Sequence, residues 1–302
     1  MTAPEILNLE ILEIMPRRGI NILYKARQTF LDRIVILKTL PQELIASDAD
    51  IEKFLFEARV VAKLQHSNIG LVYNFGECEG TYYFIMEYFS GKSLAEWIEK
   101  MGTFSEANAL VFARTVGDAL CYAWEKAQVI HHNLRTDNIY INDDGEIKIT
   151  DLGVDRSMQM VADKAKTQEM ILHYGIPNYA APEQFHRDSD IDYRGDIYSI
   201  GAILYHMITG KIPFEGMSHL DVVGNLENGQ IDDPVDLNLD ISDAVFFLIE
   251  RMMAKNSGDR PQNWHECLKD IRRVRQRQMP EQVLSEGMKS TLSRSPSRKV
   301  HA

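Results

Sequence analysis

Residues 131–138 read His-His-Asn-Leu-Arg-Thr-Asp-Asn and gather imidazole, amide, guanidinium and carboxylate groups into one octet. At its centre stands Asn133. An amide is neutral and not basic at any working pH, so this position cannot take a proton from a reacting group. Where a positioned side chain does that task, it contributes about 10²–10⁴-fold in rate. Charged groups also stand in three other short stretches: Val35-Ile-Leu-Lys38, Asp151-Leu-Gly153 and Gly258-Asp-Arg-Pro261. Lys38, Asn138 and Asp151 are of the types that neutralise phosphate charge. Taken singly, each also suits a plainer role. Lys38 could form a surface ion pair with Glu57, and Asn138 and Asp151 could be turn residues.

Such groups need a scaffold, and the surrounding pattern supplies one. Ile6–Ile14, Ile20–Ala26, Ile34–Thr39, Gly70–Phe75 and Tyr82–Met86 are rich in Ile, Val, Tyr and Phe and read as strands. Between them, Asp48–Gln65 carries Phe54, Ala58, Val61, Ala62 and Leu64 mainly at three- and four-residue spacings, which predicts a helix. After Gly91 the pattern becomes helical. Ser105 caps a run in which Ala109, Phe112, Ala113, Val116, Leu120, Ala123 and Ala127 form one face. Short strands Asn138–Ile141 and Glu146–Thr150 flank the turn Asn142-Asp-Asp-Gly145. Helices follow at about 195–209, 218–228, 242–254 and 262–277. The class is α+β, a small β-rich lobe before a larger α-helical lobe.

With 302 residues and 45% hydrophobic content, the chain can bury a sizeable core in one large domain or two lobes. From Arg272 onward, eight Lys/Arg face two Asp/Glu, a net +6; the remainder holds 25 basic and 42 acidic residues, a net −17. An acidic body argues against nucleic acid as a partner. No apolar stretch reaches the roughly 18 residues of a membrane span, and the longest, Ile197–Ile208, contains Ser199 and His206. The opening residues lack the pattern of a signal peptide. Cys78, Cys121 and Cys267, odd in number and far apart, read as reduced buried thiols of a cytoplasmic protein rather than as disulfides or a metal site. Residues 278–302, rich in Ser, Arg and Lys, read as a disordered basic tail suited to acidic surfaces. Ser290, Ser293, Ser295 and Ser297 lie near its basic residues, where they could be phosphorylated.

In order and spacing, the segments from about Leu9 to Arg273 resemble the protein kinase family, in particular its bacterial-type Ser/Thr members. The resemblance implies a bilobal fold, with a small lobe over 1–87 and a large lobe over 88–277. It also implies ATP and Mg²⁺ as cofactors. Lys38 takes the place of the Lys that pairs the ATP phosphates, and Glu57 that of the Glu orienting it. Asp151 and Asn138 match the two magnesium ligands, and Arg135 stands for the catalytic-loop Lys. Leu23 follows the Gly-rich loop position, Met86 is the gatekeeper, and Glu87 to Phe89 form the hinge. Ile36 and Tyr140 fall where the family sandwiches adenine. Ala181-Pro-Glu183, the helix starting Asp196-Ile-Tyr-Ser-Ile-Gly201, and Arg260 as partner of Glu183 complete the match. Val61, Val72, His131 and Leu152 map to the packing column that links the lobes.

The departures concern the chemistry. Asn133 replaces the Asp that should accept the substrate proton, and Ile176 replaces the Thr that should bond that Asp. Pro16, Arg18 and Asn21 replace the three glycines of the phosphate loop, whose backbone approach a proline cannot copy. Arg17 and Arg18 could supply charge there instead. His132 replaces an Arg and is a poor partner for a phosphorylated Thr167 or Tyr174. Ile36 and Tyr140 are larger than usual, and two readings stay open. Either they partly fill the adenine slot, or the Tyr140 ring is turned aside. Asp137 and Asp155 are the carboxylates placed to substitute for the lost base. The favoured expectation is a pseudokinase, a scaffold or allosteric partner of other signalling proteins with at most residual ATP/Mg binding. The alternative is a divergent, slow Ser/Thr protein kinase, and a third reading is a sensor that binds ATP without turnover.

Overall fold

The computed structural model describes residues 6–15, 22–39, 48–153, 177–185, 191–214, 219–285 and 288–294. Within its helices, the side chains at 48–51, 53, 54, 57, 219, 220 and 227 lie outside that description.

The N-terminal part is a five-stranded antiparallel sheet. Its strands β1 (Leu9–Ile14), β2 (Ile22–Gln28), β3 (Arg33–Thr39), β4 (Val72–Cys78) and β5 (Thr81–Glu87) lie in the order β1-β2-β3-β5-β4. Successive side chains of a strand point to opposite faces. Tyr24, Ala26, Val35, Leu37, Tyr83 and Ile85 pack together on one face. The alternation therefore commits Leu23, Ile36 and Lys38 to the other. The register pairs Leu23 with Lys38 and Ile36 with Met86, which gathers four of the expected site residues on that face. Helix α1 (Asp48–Val61) connects β3 to β4 and stops four residues short of the expected Gln65. Beyond Val61 the bonds tighten to i−3, from Lys63 N to Val60 O and from Leu64 N to Val61 O. Strand β4 starts at Val72 rather than Gly70 because the preceding residues pair elsewhere. Gly70 N–H donates to Ile149 O at 2.7 Å, and Ile149 N–H donates to Asn68 O at 2.8 Å. These bonds stitch the N-terminal sheet to the C-terminal part.

That part is helical. It opens with β6 (Lys92–Ser93) and α2 (Leu94–Met101), which the sequence reading missed. Its signal was present: Ser93 and Glu96 form a reciprocal capping box. Then come α3 (Glu106–Ala127), capped by Ser105, and strands β7 (Ile139–Ile141) and β8 (Ile147–Ile149), which join β6 in a small sheet. Helices α4 (Arg194–Thr209), α5 (His219–Asn228), α6 (Pro234–Leu237), α7 (Asp243–Met252) and α8 (Trp264–Arg275) follow. Every residue of α4 from Gly195 to Thr209 is buried, as expected of a helix apolar all round at the centre of a core. Gly201 lets α7 approach it, since a Cβ there would lie 2.9 Å from Met252 Cβ and Met253 Cγ. Among the described residues, no helix is long and apolar enough to cross a membrane. Cys121 and Cys267 are buried free thiols, and Cys78 is a half-buried one.

The expected disordered tail needs correction. Residues 279–285 and 288–294 lie against the helical part, with Leu284, Thr291 and Leu292 buried. Thr291 Oγ1 donates to Met253 O at 2.6 Å, and a parallel bridge pairs Leu292 with Ile231. Arg294 forms a bidentate ion pair with the fully buried Glu250. Composition misled here because two leucines and one matched charge are enough to seat a short basic segment on a prepared surface. Ser295 and Ser297 lie outside the described residues.

Candidate active site

The site lies where the two parts meet. Lys38 projects from β3 into the interior, 2% exposed, and its Nζ donates to Asp151 Oδ1 at 2.9 Å. Asp151 has a φ of +61°, a left-handed conformation that costs energy in a non-glycine residue. Asn138 Nδ2 donates to the backbone carbonyl of Asn133 at 2.9 Å, and Asn138 O accepts from Thr150 N–H at 2.8 Å. Asn138 is thus anchored through its amide nitrogen and backbone, leaving its amide oxygen as an acceptor. A carboxylate and an amide oxygen are hard donors of the type that hold Mg²⁺. The Asn138 and Asp151 oxygens therefore fit the expected metal.

Asp196, at the start of α4, fixes the loop 131–134. Its buried carboxylate accepts His131 N–H at 2.7 Å and His132 N–H at 3.0 Å. Burial pushes this carboxyl up from its ordinary range, while the charge of His131 and the backbone N–H groups of His131 and His132 pull it down. Gln184 Nε2 donates to His132 O at 2.6 Å, and His131 Nε2 meets Thr150 O at 3.0 Å. His132 is itself left-handed, with a φ of +64°. The backbone on both sides of Asn133 is thereby clamped. The sequence reading saw the α4 motif as an anchor but did not assign its Asp to these two N–H groups.

Leu23, Ile36, Met86 and Tyr140 line one cavity of about 110 Å³, together with Glu87 and Phe89. Asn138 and Asp151 also line it. An apolar cavity of about 150 Å³ takes up benzene, and drug-sized pockets run to about 300–1,000 Å³. Ile36 and Tyr140 thus border a slot that is narrow but open. Met15 also lines it, which no sequence signal indicated. Glu87 is held by Lys148 at 3.1 Å and accepts Leu71 N–H at 3.1 Å, a second unforeseen contact that braces the expected hinge.

A second and larger cavity, of about 720 Å³, opens on the other side of the same loop. Arg135, Thr136, Asp137, Tyr179 and His206 line it, with Glu99 and Ile98 from α2. Arg135 and Asp137 are ion-paired at 2.8 Å, and Asp137 borders both cavities. Tyr179 OH and His206 Nδ1 share a hydrogen bond of 2.7 Å, and Thr136 joins them at 3.3 Å. Burial lowers the His206 pKa from 6.5 to about 4. The unfolded chain therefore binds the proton more tightly, so stability is lost as pH falls from about 6.5 to about 4. The upper bound on that loss is about 3 kcal/mol, since one pKa unit is worth about 1.4 kcal/mol. Denaturant unfolding at pH 7.0 and 5.0 tests this, because His206→Leu must flatten the difference between the two.

Several expected residues cannot be placed further. Glu57 lies on α1, but its side chain is outside the described residues, as are Pro16 to Asn21, Asp155, Thr167, Tyr174 and Ile176. Arg260 meets Glu183 as expected, through contacts of 2.6 and 2.8 Å. His131 and Leu152 are fully buried, Val61 is nearly so, and Val72 is half-buried.

A buried lysine, two candidate metal ligands and a clamped polar loop between two cavities define a site of protein kinase type. The protein kinase domain profile matches residues 20–271, and the chain belongs to that family. It is 31% identical over 266 residues to a probable serine/threonine-protein kinase of Clostridium perfringens, covering 88% of this chain and 38% of that protein. It is 30% identical over 300 residues to the serine/threonine-protein kinase PknB of Mycobacterium leprae, covering 97% of this chain and 47% of that protein. The chain thus spans less than half the length of these curated relatives. A crystal structure of a PknI kinase-domain mutant from Mycobacterium tuberculosis superposes with a TM-score of 0.69 at 19% identity, covering 90% of this chain and 98% of that one, which shows the shared fold.

Proposed function

We propose that this chain is a divergent Ser/Thr protein kinase domain that binds ATP between Ile36 and Tyr140 and passes its γ-phosphoryl group slowly to a protein hydroxyl. One observation carries the reading. A narrow, mostly apolar slot and a larger groove of mixed polarity meet at Asp137, and Asn138 and Asp151, the latter paired with Lys38, line the slot. Two cavities on one fixed loop suit a reaction between two bound substrates, in which positioning and charge supply much of the rate. Mg²⁺, when bound by Asn138 and Asp151, would neutralise phosphate charge. Lys38 binds phosphate oxygens, and Arg135 adds positive charge beside the groove. Asn133 can hydrogen-bond the incoming hydroxyl but takes no proton from it. The relatives named as serine/threonine kinases support this reading over a purely structural role.

The pseudokinase reading remains as the second, and Asn133 is the observation that favours it. A titration with ATP and Mg²⁺, followed for binding and for radiolabelled transfer in the same samples, separates the two. The expected result is binding with slow transfer. Lys38→Ala should abolish transfer and weaken ATP binding about 10–150-fold, since a hydrogen bond to a charged group is worth about 1.5–3 kcal/mol. Binding without transfer would make the domain a nucleotide-gated scaffold. Absence of binding would make it a scaffold only.

A further inference from the structure

Away from both cavities, α3 and α8 bring together three side chains of different ligand chemistry. Cys121 and Glu125 are one turn apart on α3, so both fall on the same side of that helix. His265, the second residue of α8, reaches across from the partner helix, with its Nε2 at 2.8 Å from Glu125 Oε1. The thiol sulfur, a carboxylate oxygen and an imidazole nitrogen all lie within 4.8 Å of one another. None of the three lines either cavity of the active site.

Glu125 is the shared partner of the group: the buried Cys121 thiol hydrogen-bonds it from one side and exposed His265 pairs with it from the other. We propose that Cys121, Glu125 and His265 form a Zn²⁺ site that ties α3 to α8. The ligand set is that of zinc: thiolate sulfur, imidazole nitrogen and carboxylate oxygen, all of which bind at about 2.0–2.3 Å. In a tetrahedron those bonds set the ligand atoms roughly 3.3–3.8 Å apart. The observed spacings therefore have to change by only about 1 Å. The freedom for this is present, since the His265 and Glu125 side chains are 75% and 54% exposed. Cys121, by contrast, is fixed in the core. The exposed side leaves the fourth position to water. Binding forms the Zn–S bond and releases the thiol proton to solvent. Soft sulfur and imidazole discriminate against Mg²⁺, so this site does not compete with Asn138 and Asp151 for their metal.

The test uses the full chain, reduced and freed of metal, titrated with Co²⁺ as a spectroscopic stand-in for Zn²⁺. The expected result is one equivalent of tetrahedral Co²⁺ with a thiolate-to-cobalt charge-transfer band, bleached by Zn²⁺ and unaffected by excess Mg²⁺. Cobalt at Asn138 and Asp151 would give no thiolate band, so the two sites are distinguishable. Cys121→Ser should remove the band. His265→Ala, an exposed change that leaves folding intact, should weaken binding at least about tenfold, the lower limit for losing even a supporting residue of a metal site. Zn²⁺ should also raise the thermal midpoint of the wild type, and raise that of His265→Ala less at the same concentration. Absence of the band, its persistence in Cys121→Ser, or equal affinity in wild type and His265→Ala would each overturn the proposal.

Discussion

Asn133→Asp raises the rate of γ-phosphoryl transfer by about 10²–10⁴-fold, the range in which positioned general bases contribute. The size of the effect rests on the scaffold already being in place. The carboxylate of Asp196 fixes the two N–H groups before position 133, Gln184 holds the His132 carbonyl, and Asn138 holds the carbonyl of residue 133 itself. Asp and Asn are nearly isosteric, so the new carboxylate inherits this geometry. Position 133 belongs to the loop whose residues Arg135 to Asn138 line the groove and the slot. Radiolabelled transfer to a generic protein substrate, measured side by side for wild type and variant, gives the ratio directly. A ratio near one would place the limiting defect elsewhere, in the segment 16–21, where Pro16, Arg18 and Asn21 replace the three loop glycines, or in Ile176. Asp137→Asn is the necessary companion. If Asp137 already served as a substitute base, that change alone would remove the wild-type rate.

Much of this site was legible because its residues are local in sequence or repeat a strand period. Ile36 and Lys38 share a face of β3 by alternation, and the run 131–138 carries its own chemistry in eight consecutive residues. Elements with a clear apolar period or an N-cap, such as α3 and α4, were located to within a residue or two. What was missed depends on contacts between distant segments. The grip of Glu87 by Lys148, the Tyr179–His206 bond and the seating of Arg294 on Glu250 join residues that no local pattern relates. The tail shows the same limit from the other side. Its composition describes a solvated chain, but the surface of α7 offers a buried carboxylate that only the folded protein creates. The Cys121, Glu125 and His265 group was likewise invisible, since its third member comes from a helix far along the chain.

The largest loss of stability is expected at Arg260. Its side chain is fully buried, and all five guanidinium N–H groups have acceptors. Nη1 and Nη2 bind the two oxygens of Glu183 at 2.6 and 2.8 Å, Nε donates to Ala254 O at 2.7 Å, and Arg194 O and Lys255 O take the remaining two. One residue thus joins the Ala181-Pro-Glu183 segment, the start of α4 and the loop after α7. Arg260→Met keeps the stem but leaves Glu183 charged and nearly buried without its bidentate partner, since the nearby Arg194 is engaged by Asp192. Removing one partner of a buried pair costs about 3–5 kcal/mol, which in a domain of this size lowers the melting midpoint by roughly 6–20 °C. Arg260→Lys should recover little, because an ammonium has three donors in another geometry and cannot bridge both carboxylate oxygens and three carbonyls. The double change Arg260→Met with Glu183→Met should be less destabilised than Arg260→Met alone, since the stranded charge is then gone. Thermal unfolding of the four proteins decides the matter. A double variant no more stable than Arg260→Met would move the cost from the stranded carboxylate to the three orphaned carbonyls, and would make Arg260 chiefly a clamp on the backbone at the base of α4.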